Sequence, residues 1–160
     1  MAQKILVALD SSEGAWRAVE YVARTFGQTL GVEVTLLNIL SGLPPAFWDD
    51  GHVLQDQERE ARQRLVDQWQ KDQEKGWLGL VGKAKETLVA AGIPAAAVAA
   101  RFKPKYFDVA EDIVKSALED GCSTIVMGRR GLGQAKALLL GSVTSKVVHN
   151  AKGVAVTIVG

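Results

Sequence analysis

The chain has 160 residues, with 19 Lys or Arg against 18 Asp or Glu and a formal net charge of +1. This balance argues against binding to nucleic acid through an overall basic field, so no nucleic-acid partner is expected. No apolar run approaches the roughly 20 residues of a membrane-spanning helix. The single cysteine, Cys122, cannot form an intramolecular disulfide. Because the N-terminus has no signal-peptide pattern, a cytoplasmic protein with no membrane partner is expected.

The first 40 residues predict a strand, a helix and a second strand. The continuous apolar run of residues 5–9, which ends at Asp10, is typical of a strand buried on both faces. A helical pattern follows, which can be capped by Asp10 or by either of the two serines after it, and Gly27 is placed to end it. Residues 32–40 form the next apolar run and predict a second buried strand.

The middle of the chain predicts an irregular loop followed by a long helix. Residues 41–54 contain two prolines, two glycines and two adjacent acids. The helical pattern that follows contains Gly76, Gly79 and Gly82, each of which costs about 1 kcal/mol relative to Ala, so a kink or break near Gly76 is expected. We interpret residues 41–96 as a loop plus a long helical insertion in a single domain that spans residues 1–160.

The last 60 residues continue the alternation of strands and helices. Strands are predicted at 97–103, 123–127 and 154–159, and a last helix at 142–151. Asp108 with Glu111 fits a capping box that opens the helix between the first two of these strands. Alternation with short connections predicts an α/β fold, with one open parallel five-stranded sheet and helices on both faces, doubly wound and Rossmann-like.

Four glycines follow the predicted strand at 123–127, namely Gly128, Gly131, Gly133 and Gly141. In an open α/β sheet ligands bind beyond the carboxyl ends of the strands, and glycines there allow backbone N–H groups to approach a phosphate. Ser142 then opens a helix whose N-terminus favours anions. Tight turns alone are the other explanation of these glycines. The pattern is neither a Walker A loop nor the GxGxxG turn of dinucleotide-binding proteins.

The stretch from Met127 to Val143 resembles the nucleotide loop of the universal stress protein family. In ATP-binding members that loop is a Gly, two residues, a Gly, nine residues and Gly-Ser or Gly-Thr, which here are Gly128, Gly131 and Gly141-Ser142. The first strand with its terminal aspartate resembles the family as well. So do residues 36–39, although a His often stands in the family where this chain has Asn38. Residues 41–96 carry no family signature.

The resemblance implies a site for ATP with Mg²⁺. Asp10 would hydrogen-bond the ribose hydroxyls or hold a divalent ion near the phosphates. Ala8 and Leu9 would pack against the base, and the backbone at Ile39 would hydrogen-bond the edge of the adenine. Met127 and Gly128 would lie along the ribose. The phosphates would be bound by backbone groups of five residues, with the Ser142 hydroxyl as an added donor. The five residues are Arg129, Gly131, Gly141, Ser142 and Val143.

The resemblance also implies the strand order 3-2-1-4-5, with the last strand as an edge through which such proteins pair as homodimers. A bare edge strand invites pairing on physical grounds too. Arg129 and Arg130 depart from the family, which often has a small hydroxyl residue after the first loop glycine. We expect at least one of these arginines to reach a phosphate.

Together these features predict an ATP-binding stress-response protein that acts as a homodimer. The sequence shows no paired base and nucleophile, so ATP hydrolysis is expected to be slow at most, and a dedicated enzyme is not favoured. The adenylyl-transfer alternative would need an added His or Lys for the α-phosphate, and none is found. The other alternative is a nucleotide-independent protein-interaction module that uses residues 41–96. His52, near Asp49 and Asp50, is interpreted as part of a solvated loop and not as a metal site.

Overall fold

The computed structural model describes residues 2–44, 47, 51, 53–130 and 139–160. Its strands are β1 (Gln3–Ala8), β2 (Val32–Leu40), β3 (Val98–Pro104), β4 (Thr124–Gly128) and β5 (Ala155–Val159). Its helices are α1 (Glu13–Phe26), α2 (Asp56–Ala90), α3 (Val109–Glu119) and α4 (Ser142–Asn150), with a short 3-10 turn at Ala95–Ala97. Within these ranges the strands form one parallel sheet in the order β3-β2-β1-β4-β5, which confirms the predicted fold class and places β5 at an edge.

Both faces of the sheet are covered by helices, which explains why its central strands are rich in apolar residues. On one face, alternate residues of β1 and β2 pack against α1 and the second half of α2. On the other face, the intervening residues pack against α3 and α4. The first core includes Ile5, Val7, Leu36, Val19, Val22 and Leu88, and the second includes Leu6, Leu37, Ile125, Ala117 and Val147.

Helix α2 is one continuous helix of 35 residues, so the break expected near Gly76 is wrong. Its buried side chains all lie in the second half, where Trp77 stacks on Phe102 of β3 with ring centroids 5.9 Å apart. This packing against the sheet offsets the glycine cost, which is about 1 kcal/mol at each position. Residues 56–75 carry no buried side chain, so this half of the helix extends past the packed core.

The remaining elements lie close to their predicted bounds. Strand β2 has the predicted limits, and the other strands differ from them by one or two residues. Asp108 caps α3, since its Oδ1 accepts hydrogen bonds from the amides of Ala110 and Glu111 at 2.8 and 3.1 Å. No helix in the described ranges is long and apolar enough to cross a membrane.

Candidate functional site

A cleft of about 530 Å³ opens at the carboxyl ends of β1, β2 and β4. The direction of strand order reverses between β1 and β4, and in open parallel sheets this switch point is where ligands bind. Nine of the eleven predicted site residues line the cleft: Ala8, Leu9, Asp10, Ile39, Met127, Gly128, Gly141, Ser142 and Val143. The fold therefore brings together residues that lie more than 130 positions apart in the chain.

The other two predicted site residues are Arg129, which is not among the described residues that line the cleft, and Gly131. Arg129 follows β4 directly, and its amide donates to Val159 O at 2.8 Å. Gly131 lies outside the described residues, as do Gly133 and His52. Arg130 does line the cleft, so the expected contact between an arginine and a phosphate stays a prediction with Arg130 as its better-placed candidate.

Asp10 stands in the turn between β1 and α1. Its Oδ1 accepts a hydrogen bond from the Ser12 amide at 2.8 Å, and the Ser12 hydroxyl accepts one from the Ala15 amide at 3.1 Å. Ser12 is therefore the cap of α1, while Asp10 forms an Asx turn that fixes its carboxylate at the cleft wall. Of the three capping candidates, Ser12 is the helix cap, and Asp10 and Ser11 precede it.

Asn38 is a cleft residue to which the sequence analysis gave no role. Its Nδ2 donates to Leu9 O at 2.7 Å and so ties β2 to the end of β1. Because a carbonyl oxygen only accepts, this bond fixes the amide orientation and turns Oδ1 away from Leu9. The signal available in the sequence was a polar residue between the apolar residues Leu37 and Ile39, close to the carboxyl end of β2.

A close backbone contact joins the start of α1 to the end of β4. A Cβ atom on Gly128 would lie 2.3 Å from the carbonyl carbon of Gly14, and one on Gly14 would lie 2.4 Å from Arg130 O. Only glycine allows this approach at both positions. Gly14 was missed by the sequence analysis, and its signal was a glycine in the first turn of a predicted helix.

The N-terminus of α4 forms one polar end of the cleft. The first amides of a helix have no intrahelical acceptor and carry the positive end of the helix dipole, and here they belong to Ser142 and Val143. The amide of Gly141 donates to Arg129 O at 3.0 Å, and Thr144 Oγ1 donates to Gly128 O at 3.1 Å. The contributions predicted for the Arg129 and Gly141 backbone stay predictions, since both amides already have acceptors within the chain.

Apolar side chains supply another part of the cleft lining. Val109 and Ile113 of α3 line the cleft, and so does Leu40 at the end of β2. These residues were also missed, because nothing local in the sequence indicates that α3 reaches the cleft. The result is a chamber that suits the faces of a planar ring, next to a polar end that suits an anion.

An ion pair anchors α3 to α4 beside the cleft. Lys146 Nζ lies 2.6 Å from Asp108 Oδ2. The hydrogen bond to Lys146 and those from the amides at the start of α3 lower the pKa of the Asp108 carboxyl below its usual value. The hydrogen bond to Asp108 in turn raises the pKa of Lys146. The two helices that flank the cleft are thus joined by a charged hydrogen bond.

Asp10 is the one carboxylate among the described residues that line the cleft. Mg²⁺ is commonly bound by one or two carboxylates together with the phosphates of a nucleotide, so this single acid fits such an ion only when phosphates complete its shell. No group of three or more His, Cys, Asp or Glu that could hold a metal alone occurs in the described ranges.

Taken together, these features define an α/β protein with a cleft at the switch point of an open parallel sheet. The chain belongs to the universal stress protein family, whose model matches residues 1–159. It is 27% identical over 154 residues to the universal stress protein YxiE of Bacillus subtilis, with 92% of each chain covered.

Solved structures share the fold of this chain. The hypothetical protein MJ0577 is 26% identical, with a TM-score of 0.72 over 99% of this chain and 96% of that chain. The universal stress protein from Archaeoglobus fulgidus in complex with dAMP is 18% identical, with a TM-score of 0.62 over 100% of this chain and 98% of that one.

Proposed function

We propose that this chain binds ATP with Mg²⁺ in the cleft and acts as a homodimer in the stress response. The observation that carries the proposal is the combination, in one cleft, of an apolar chamber, a fixed carboxylate and a helix N-terminus. These three features match the base, the ribose and the phosphates of a nucleotide in turn. The dAMP complex of a protein with the same fold supports an adenine nucleotide as the ligand class.

Each part of the nucleotide has a counterpart in the cleft. The base packs in the chamber between Leu9, Ile39 and Ile113, and the Ile39 backbone reads its edge. The Asp10 carboxylate accepts hydrogen bonds from the ribose hydroxyls, which are donors. The phosphates lie at the amides of Ser142 and Val143, where helix geometry leaves N–H groups available.

We further propose that binding, and not rapid turnover, is the function of the site. In the described part of the cleft the ionisable side chains are Asp10 and Arg130. Activation of water for attack on a phosphate needs a positioned base, and in this proposal Asp10 is occupied by the ribose or by Mg²⁺. Hydrolysis of ATP is therefore slow at most.

The homodimer forms through β5 in this proposal. One side of β5 pairs with β4, and its other side is the edge of the sheet. An edge strand exposes unpaired N–H and C=O groups that a second copy can satisfy by antiparallel pairing. Val156 and Ile158 are half-buried in the single chain, so pairing would also cover apolar surface.

Native mass spectrometry of the purified protein tests both parts of the proposal at once. We expect the mass of two chains plus one adenine nucleotide for each chain, with the nucleotide identified after release by acid. The control is the same sample passed through denaturant and refolded, which should have the mass of two chains alone and regain the added mass when ATP and Mg²⁺ are supplied. A folded protein that never acquires the nucleotide mass would contradict the proposed ligand, and a single-chain mass at micromolar concentration would contradict the dimer.

A further inference from the structure

A second hollow of about 470 Å³ lies between α2 and the carboxyl edge of the sheet, and we name it the α2 hollow. It shares Asp10, Asn38 and Gln73 with the nucleotide cleft, so the two cavities meet at these polar side chains. The rest of its lining comes from α2, from β3 and from the turn after β1. Neither the proposed nucleotide nor the packing of the core uses this space.

The α2 hollow has an aromatic floor. Trp77 and Phe102 stack with an angle of 20° between their planes, and Leu80 lies beside them. Trp77 is 7% exposed, so the core fixes its ring position, and the accessible part of the aromatic floor comes mainly from Phe102, which is half-buried. Rigid aromatic surfaces of this kind favour another planar ring, which can meet them by offset stacking or edge to face.

The helical wall of the α2 hollow is held open by Gly76 and Gly79. A Cβ atom at either position would meet no other atom within 4 Å, so packing does not require glycine there. Glycine in the middle of a helix is destabilising relative to alanine. Larger side chains at these two positions would occupy the hollow, whereas glycine leaves helix backbone as the wall there, beside the side chains of Asp72, Gln73 and Lys83.

The junction between the two cavities selects for hydrogen-bond donors. Asn38 Oδ1 is turned away from Leu9 by the amide's bond to Leu9 O, and the Asp10 carboxylate accepts only. Under the proposed function the ribose hydroxyls lie at Asp10. A group that extends from the ribose side of the nucleotide therefore enters the α2 hollow.

We propose that the α2 hollow binds a planar aromatic ring beside the ribose of the bound nucleotide. This inference rests on the proposed function for the position of the ribose. The ring can be a substituent of the nucleotide itself or a separate small molecule, because the floor, the glycine wall and the polar junction would receive either in the same way.

The first experiment compares ATP with its 2′/3′-O-(N-methylanthraniloyl) derivative by titration calorimetry. The derivative carries a planar ring on the ribose, and we expect it to bind about tenfold more tightly than ATP because the ring leaves water. Energy transfer from the tryptophans of the chain, of which Trp77 lines the α2 hollow, should accompany binding. In a second arm, free anthranilamide is titrated into protein saturated with ATP, which detects a site for a separate ring.

The variant Gly76→Leu/Gly79→Leu should fill the α2 hollow and abolish the gain for the derivative and the binding of anthranilamide, while the affinity for ATP stays within about twofold. The matched control is Gly82→Leu, since Gly82 lies on the same helix in open space but does not line the hollow. It should behave as the unmodified chain. If the double variant removes the gain in affinity of the derivative, the result supports a ring attached to the nucleotide. If it removes only the binding of anthranilamide, the result supports a separate molecule.

The proposal is overturned if the double variant changes neither the gain in affinity of the derivative over ATP nor the binding of anthranilamide, or if the unmodified chain shows neither effect. Failure of the proposed function is a different result, namely the absence of ATP binding by the unmodified chain. In that case anthranilamide is titrated alone, and binding that is lost in the double variant but kept in Gly82→Leu still supports the α2 hollow as a ring site. Binding that both variants keep contradicts it.

Discussion

The Gly14→Ala variant is expected to have a free energy of unfolding about 2–3 kcal/mol below that of the unmodified chain. The added methyl would lie 2.4 Å from Arg130 O and 3.5 Å from the Cα of Gly128. Both are backbone atoms, so no side-chain rotation can relieve the contact. Either the start of α1 or the end of β4 must move, and with it the wall of the cleft.

The control for this prediction is Gly82→Ala, measured by urea denaturation under the same conditions. Gly82 is exposed in the middle of α2, and its Cβ would meet nothing within 4 Å. Alanine should therefore raise the stability by up to about 1 kcal/mol through helix propensity. Equal stability of the two alanine variants would show that Gly14 and Gly128 do not approach each other as described.

The Asp10→Asn variant is expected to bind ATP about 10- to 100-fold more weakly. Under the proposed function the carboxylate accepts charge-assisted hydrogen bonds from the ribose, and such bonds are worth about 1.5–3 kcal/mol. Asparagine keeps an oxygen that can accept from the Ser12 amide, so the turn before α1 is preserved. Titration calorimetry gives the affinity, and circular dichroism checks the fold.

Glu13→Gln is the matched control for Asp10→Asn. It removes one negative charge three residues further along, from an exposed side chain that pairs with Arg17 at 3.7 Å and does not line the cleft. Its affinity for ATP should stay within about twofold of the unmodified chain, because an exposed charge is screened by solvent. If both variants change the affinity for ATP by no more than about twofold, Asp10 does not bind the ribose as proposed.

The fold was largely predictable because its signals are local. A parallel strand buried on both faces is rich in apolar residues, and this enrichment marks β1 and β2 in the sequence. The continuity of α2 was not predictable in the same way. Glycines argue against a helix locally, while the burial of Trp77 against Phe102 is a tertiary contact that the pattern of residues 55–90 does not reveal.

The candidate site was predicted in part, for similar reasons. The glycine motif and the acid at the end of β1 come from the ends of strands, where the fold places ligands by rule. The residues that were missed depend on long-range contacts. Asn38 reaches Leu9 across 29 residues, Gly14 meets the end of β4, and α3 closes the apolar chamber.

The most direct test of the central claim is a calorimetric titration of ATP with Mg²⁺ into protein freed of bound nucleotide. The account predicts saturable heat with one ATP for each chain, and a large loss of affinity in Asp10→Asn but not in Glu13→Gln. No heat from a protein that circular dichroism shows to be folded would contradict nucleotide binding in the cleft. That result would favour a function that does not depend on nucleotide, with residues 41–96 as the surface to examine.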